Sequence, residues 1–234
     1  MRFPHPLVRA TLQRRYKRFL ADVTMANGET VTAHCANPGS MLGLARPGAE
    51  IWLSPAADPA RKLRWNWELE RLDGGWAAIN TSNPNKLAEE AIRDGRIAEL
   101  SGFANLRREV KYGQNSRIDL LLEDPGRPAC YVEVKNVHLM RRPGLAEFPD
   151  CVTARGAKHL RELANVAAAG QRAVMLYIVQ MTGADHMGIA ADLDPAYAMA
   201  LREALQQGVE ALCYACSIST ESIEVAGALP VVRP

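Results

Sequence analysis

The sequence predicts a mixed α+β chain in two parts. A small barrel or sandwich of short strands is expected over residues 1–82, followed by helices and strands alternating about a central sheet over residues 83–234. Three observations carry that reading. Before about Asn83 the apolar runs are short, alternate with polar residues and end at turn residues such as Asn27-Gly28 and Gly74-Gly75. After it, segments of helical period stop at Gly95 and Gly170 and give way to aliphatic runs. One later turn joins two short apolar strands that carry Asp119 and the triplet Glu133-Val134-Lys135.

In chain order, the first part is expected to place strands over residues 18–25, 29–35, 50–54, 64–71 and 76–80. Asn27-Gly28 between two alternating runs is a strong hairpin signal. Asn37-Pro38-Gly39-Ser40-Met41 reads as turn chemistry. In the second part the periodicity predicts a helix over 84–94, a strand over 109–112, a hairpin, a helix over 153–169, a strand over 172–180, a helix over 195–207 and a strand over 209–217. A helix-turn-helix at 198–219 is disfavoured, because residues 209–218 have the composition of a strand.

The hairpin is the most informative element. Its arms, 118–122 and 130–135, flank a connection containing Asp124-Pro125-Gly126. Folding it symmetrically about Gly126 sets Leu120 opposite Val132 and Ile118 opposite Val134 on one face. Asp119 then lies opposite Glu133 on the other, with Lys135 on that same face. Carboxylates directly across a strand pair repel unless a cation lies between them. Hard oxygen ligands suit Mg²⁺ or Mn²⁺, and a lysine beside such an ion stabilises developing negative charge. The chemistry suggested is metal-assisted phosphodiester hydrolysis. The pattern is short, however, and a surface strand with weakly paired charges would also satisfy it.

Bulk properties bound the remaining classes. A content of 48% hydrophobic residues in 234 suits a globular chain with real cores. No apolar run approaches the roughly 20 residues that span a bilayer, and residues 1–10 lack a leader-like apolar stretch, so a cytoplasmic protein without membrane contact is expected. Five cysteines, an odd number, argue against a disulfide framework. Cys213-Tyr214-Ala215-Cys216 has no second ligand pair. Cys35, Cys130 and Cys151 read as small buried hydrophobes.

The net charge is only +2, but residues 1–21 hold six basic side chains and no acid, and Arg61, Lys62 and Arg64 precede Trp65 and Trp67. Cations attract phosphate and aromatic faces stack on unpaired bases. Arg14, Arg15, Lys17 and Arg18, with Arg61, Lys62, Arg64 and Trp65, are therefore candidate nucleic-acid contacts. Trp65 and Trp67 lie at strand spacing and could equally fill a barrel. On the predicted helix 153–169, Arg155, Lys158, His159 and Glu162 form a polar stripe opposite Leu160, Leu163, Ala164 and Ala167. Arg155, Lys158 and His159 there are candidate phosphate contacts, since helix N-termini also attract anions.

Six blocks, in order, resemble one family. They are residues 15–23, His34-Cys35-Ala36-Asn37-Pro38-Gly39-Ser40-Met41, residues 109–113, Ser116-Arg117-Ile118-Asp119, Tyr131-Val132-Glu133-Val134-Lys135 and residues 155–163. On these the chain is similar to the sugar fermentation stimulation protein A family. The resemblance implies an OB-like β-barrel, a domain like the PD-(D/E)xK nucleases, and a DNA-binding protein linked to regulation of sugar utilisation. Helical periodicity leaves Glu89 and Glu90 equivalent, and the family's Glu-Ala-Ile pattern selects Glu90 as an assisting metal ligand. The site so assembled is Asp119, Glu133, the Val134 carbonyl and Glu90 on a Mg²⁺ or Mn²⁺ ion, with Lys135 supporting the attacking water and Arg117 a further phosphate contact. DNA, single- or double-stranded, is the expected partner, with RNA also possible. The alternative is a non-catalytic DNA-binding regulator that keeps the nuclease-like domain as a scaffold.

Overall fold

Alternation of small or aliphatic residues with polar ones drives the first part of the chain into strands, as the computed structural model shows for residues 1–58, 60–113 and 116–232. Strands β1 (Val8–Tyr16), β2 (Leu20–Met25), β3 (Thr30–His34), β4 (Glu50–Pro55), β5 (Trp65–Leu72) and β6 (Gly75–Ala78) form one sheet in the order β3-β2-β1-β4-β5-β6. A parallel contact at His34–Asn66 joins β3 to β5 and closes the first five strands into a barrel. This is the OB topology. Leu12, Val23, Ala33, Ile51, Leu53 and Trp67 fill the interior.

A bulge in β1 between Leu12 and Arg14 adds one residue against β2. The inward-outward alternation therefore changes parity at Gln13. Leu12 points inward, yet Arg14 and Tyr16 pair with Asp22 and Leu20, the outward positions of β2, while Arg15 pairs with inward-facing Ala21. The sequence pattern predicts no strand here, because a run with three arginines lacks the apolar alternation that signals one.

The second part is a sheet covered on both faces. Helix α1 (Asn83–Arg93) begins with Pro84 in its first turn and is followed by Gly95 at φ 72°. Strands β7 (Asn105–Tyr112), β8 (Ser116–Asp124) and β9 (Arg127–Val137) form an antiparallel meander. A small sheet follows from β10 (Leu139–Arg142) and β11 (Gly144–Phe148), and then come helix α2 (Ala154–Ala168) and strand β12 (Arg172–Val179). Strand β13 (Ala184–Ile189) joins the small sheet, and α3 (Pro195–Gln206), β14 (Glu210–Ile218) and β15 (Ile223–Ala228) complete the chain. The main sheet runs β15-β14-β12-β9-β8-β7, with β12 parallel to both neighbours. All of β12 after Arg172 is buried, as expected for a strand covered on both faces.

Side chains sort cleanly by face. Leu87, Ala88, Ala91 and Ile92 of α1 pack with Leu120, Val132, Val134, Leu176 and Ile178 in one core. Leu160, Leu163 and Ala164 of α2 pack with Leu121, Met175, Tyr177 and Leu201 in another, which is continuous with the barrel interior. Thr153 Oγ1 caps α2 by accepting the Gly156 N–H at 3.1 Å, and the Asp194 carboxylate caps α3 while also accepting the Thr153 N–H at 2.7 Å. The starts of α2 and α3 are thereby tied together. Cys213 and Cys216 of β14 face different cores and all five cysteines are free, while Cys151 is exposed, contrary to its expected burial. Among the described residues no helix is long and apolar enough to cross a membrane.

Barrel and sandwich are joined by backbone hydrogen bonds. The Ala78 N–H donates to the Gln180 carbonyl and the Thr182 N–H to the Trp76 carbonyl, each at 2.9 Å. The Asn37–Met41 turn also docks on the sandwich, with the Met41 N–H and Ser40 hydroxyl donating to Asp150. A Cβ on Gly39 would lie 2.7 Å from Asp150 Oδ2, which explains glycine at that point of closest approach.

Candidate active site

Leu120 pairs with Val132 and Leu122 with Cys130, the register expected from symmetry about Gly126. Pairing of β8 with β9 stops at Leu120–Val132 on this side. One residue further, the Asp119 carboxylate takes over as acceptor, its Oδ2 receiving the Val134 N–H at 2.8 Å. A side chain thus replaces the backbone carbonyl that would continue the ladder, and the two strands separate around the acidic pair. Asp119 Oδ1 accepts from the Asn85 amide of α1 at 2.8 Å.

Glu133 is 2% exposed. Its Oε1 accepts from Lys135 Nζ at 2.6 Å and from His159 Nδ1. Arg155 Nε donates to His159 Nε2 at 3.3 Å, which assigns the ring proton to Nδ1 and makes His159 a donor to Glu133. Glu133 Oε2 is buried and has no hydrogen-bond partner among the described residues. The Tyr112 hydroxyl and both carboxylate oxygens of Glu162, one turn of α2 beyond His159, are likewise buried without hydrogen bonds. Lys158 Nζ lies 3.7 Å from Glu162 Oε1.

The electrostatics follow from this packing. Burial, and then the charge of Glu133, push Asp119 above the usual carboxylate range, despite the bonds from Val134 and Asn85. Burial also pushes Glu133 upward, but the His159 hydrogen bond and the Lys135 charge outweigh it and hold Glu133 below its ordinary value. The Tyr112 hydroxyl is pushed up by burial and then by the charges of Glu133, Glu162 and Asp119.

Glu90 does not join this cluster. Its Oε1 accepts from the Met1 ammonium at 2.7 Å and from Arg96 at 3.0 Å, and these cations hold its carboxyl below the usual range. The reason is helical geometry. Asn85 and Glu89, four residues apart, share the side of α1 that approaches β7 and β8, with Glu89 bonded to Arg93 and 3.5 Å from Arg108, whereas Glu90 is turned toward β15. Glu90, expected as an assisting ligand, is thus engaged by Met1 and Arg96.

The basic candidates divide. Arg15 is structural: its Nη2 donates to the Asn37 and Gly39 carbonyls at 2.8 and 2.9 Å, because the β1 bulge turns it off the outer face. Arg14 pairs with Asp22 at 2.8 Å and lies over the Tyr16 ring. Lys17 and Arg18 are exposed at the β1–β2 turn, both at positive φ. Arg61 donates to Asn66 at 3.3 Å, and Lys62 and Arg64 are exposed beside half-buried Trp65. Trp67 is fully buried and its indole N–H donates to the Leu69 carbonyl, so it fills the barrel. Arg117 is exposed two residues before Asp119 on the same face of β8. Arg155 and His159 are at the carboxylates.

Family models place these residues. Residues 14–79 match the model described as the SfsA N-terminal OB domain, and residues 82–222 match the sugar fermentation stimulation protein RE domain. The chain belongs to the sugar fermentation stimulation protein family. Homologues so named are 57% identical in Paramagnetospirillum magneticum, over 98% of this chain and 97% of the relative, and 59% identical in Rhodospirillum centenum, over 96% and 97%. The solved structure of Pyrococcus furiosus SfsA in complex with Ca²⁺ matches with a TM-score of 0.89 at 29% identity, covering 99% of this chain and 98% of that one. Within this family fold, Asn85, Tyr112 and Glu162 border the acidic pair without having been singled out from sequence. Glu162 sits on the polar stripe of α2, but periodicity cannot tell a buried acid from a solvated one. Nothing local marks Asn85 or Tyr112.

Proposed function

We propose that this sugar fermentation stimulation protein homologue is a divalent-metal-dependent phosphodiesterase acting on nucleic acid, DNA in the first instance. The observation that carries the reading is Glu133 Oε2, a buried carboxylate oxygen with no hydrogen bond, across the strand pair from Asp119, whose charge is itself held at a cost. A buried charge is normally paired or bound to a metal. The Ca²⁺ complex of the Pyrococcus relative supports an oxygen-ligated divalent site in this fold.

In this reading Asp119, Glu133 and the Val134 carbonyl hold Mg²⁺ or Mn²⁺. The bound ion would polarise a phosphoryl oxygen and lower the pKa of a water. Lys135, tethered to Glu133, places an ammonium where negative charge develops. His159 orients Glu133, and Arg155, Lys158 and Arg117 receive the flanking phosphates, while Asn85 and the Val134 N–H fix the Asp119 rotamer. The test is incubation of the pure protein with labelled DNA and RNA in Mn²⁺, Mg²⁺ or EDTA. Metal-dependent cleavage that disappears in Lys135→Ala is expected. If no nucleic acid is cut with either ion, the site is not a nuclease and the non-catalytic DNA-binding reading replaces it.

A further inference from the structure

The barrel has an opening where β3 and β5 part. Those strands meet only at His34–Asn66. Beyond that contact lies a pocket of about 650 Å³ bounded by Tyr16, Leu20, Val31, Lys62, Arg64 and Trp65. Its walls are two half-buried aromatic rings and aliphatic side chains. Its rim carries exposed Lys62 and Arg64 on one side; on the other, Arg14 lies over the Tyr16 ring, 4.7 Å from the centroid, and is paired with Asp22, which also accepts from the Tyr16 and Thr32 hydroxyls. Glu29 is the acid lining it. The chain after Tyr16 turns back through Lys17 and Arg18, and next to them Phe19 is 45% exposed and lies nearly parallel to His34, at 18° between ring planes.

A half-apolar pocket with flat π-walls and cations at its edge matches a nucleobase with phosphates outside. A base inside a duplex cannot enter such a pocket, since its faces are already stacked. The cations also lead onward. The Arg18 carbonyl accepts from Arg15, whose guanidinium also holds the Asn37 and Gly39 carbonyls, and that turn docks through Ser40 and Met41 on Asp150, three residues before the Thr153 cap of α2. The first turn of that helix carries Arg155, whose guanidinium meets His159, the donor to Glu133.

We propose that the pocket between Tyr16 and Trp65 takes one unpaired base of a single-stranded segment, whose backbone passes over the Lys17–Arg18 turn toward Arg155 and the carboxylates. This rests on the nucleic-acid reading above but not on turnover. Single-stranded DNA, or a single-stranded tail, is then the substrate class.

The test uses the full chain in EDTA, so that no strand is cut, and measures binding of a labelled oligo(dT) and of a duplex of the same length. The single strand is expected to bind at least about tenfold more tightly. Trp65→Leu should reduce that affinity about tenfold or more, the scale of removing one base–aromatic stack, with duplex affinity unchanged, and Trp65→Phe should retain most of it. A single 2-aminopurine within oligo(dT) should lose emission on binding the wild type and keep it with Trp65→Leu. Equal affinity for both nucleic acids together with an inert Trp65→Leu overturns the pocket while leaving the nucleic-acid reading intact. Binding to neither at low salt overturns that reading itself. Should Trp65→Leu fail to fold, the wild-type 2-aminopurine signal decides alone: unchanged emission on binding overturns the pocket.

Discussion

Asp119→Asn separates the stability of the site from its ligand chemistry. The Asp119 carboxylate is desolvated and lies across the strand pair from Glu133, and both effects raise its proton affinity. Its charged form is therefore disfavoured in the fold, and at neutral pH the ionised group subtracts stability. Asparagine keeps the hydrogen bonds, because its Oδ1 can accept the Val134 N–H and its amide can donate to Asn85 once the Asn85 amide is flipped. Removing a destabilised site charge typically adds about 0.5–2 kcal/mol. For a chain of this size that is a Tm rise of a few °C, at about 2–4 °C per kcal/mol. The wild type gains a different increment from metal. An ion at 100 times its Kd stabilises by about 2.7 kcal/mol, which is about 5–10 °C on the same scale. Differential scanning fluorimetry with EDTA and with millimolar Mn²⁺ reads both. Asp119→Asn should melt above the wild type in EDTA and show no Mn²⁺ increment. A mutant that melts lower in EDTA refutes the electrostatics, and one that keeps the full metal response refutes the ligand assignment.

Other outcomes follow from the same geometry. Lys135→Ala should lower metal-dependent cleavage at least about 10²-fold while leaving DNA affinity nearly unchanged, since it removes one charge at the reacting centre but neither carboxylate; wild-type rates in the mutant would remove Lys135 from the chemistry. Lys17→Ala with Arg18→Ala should reduce the slope of log affinity against log salt by up to about 2, near 0.7–0.9 for each phosphate no longer neutralised. Arg15→Ala should leave that slope alone and instead lower the urea midpoint, because its guanidinium holds the Asn37 and Gly39 carbonyls. For acid stability the sign comes from Glu133, whose folded pKa lies below the ordinary 4.5. Its contribution is complete above about pH 4.5 and disappears as pH falls through the lower folded value. Glu133→Gln should flatten that part of the urea-midpoint profile.

How much of this was legible in the sequence depended on whether the deciding force was local. The Asp119–Glu133 register was legible because strand alternation has a period of two and the turn residues fix the symmetry point. Leu120, Val132 and Val134 then have to share the face that α1 covers. The choice between Glu89 and Glu90 was not, because both flank the apolar stripe of α1, and which side of the helix faces β7 and β8 and which faces β15 is set by tertiary packing, with Arg108 against Glu89 and Met1 and Arg96 against Glu90. Arg15 looked like its neighbours Arg14 and Lys17. Only the bulge at Gln13, invisible in composition, turns it toward the Asn37–Gly39 carbonyls. Strands β1 and β7 carry several arginines, β10 has only four residues, and β10 and β11 belong to a small sheet completed by β13, some 40 residues further on. β1, β7 and β10 pair with the strand that follows each of them, but their charged or short runs lack the apolar alternation that signals a strand, and only β1 with β4 and β11 with β13 depend on partners further along the chain.

The physical cost of the carboxylate cluster bears on which function it serves. Among the described residues Glu133 leaves one oxygen buried without a hydrogen bond, Glu162 is buried with Lys158 Nζ at 3.7 Å as its ion-pair partner, and Asp119 carries a charge that burial and Glu133 both oppose. Each unsatisfied buried polar group costs about 1–3 kcal/mol, more when charged, against a net stability of about 5–15 kcal/mol for a typical domain. A domain kept only as a DNA-binding scaffold could hold the same sheet with apolar or amide side chains at these positions and avoid that cost. Lys135 and His159 offset part of it, but both attach to Oε1 of Glu133, leaving Oε2 without a hydrogen-bond partner among the described residues. An acidic cluster with that one-sided compensation is what a divalent ion would complete.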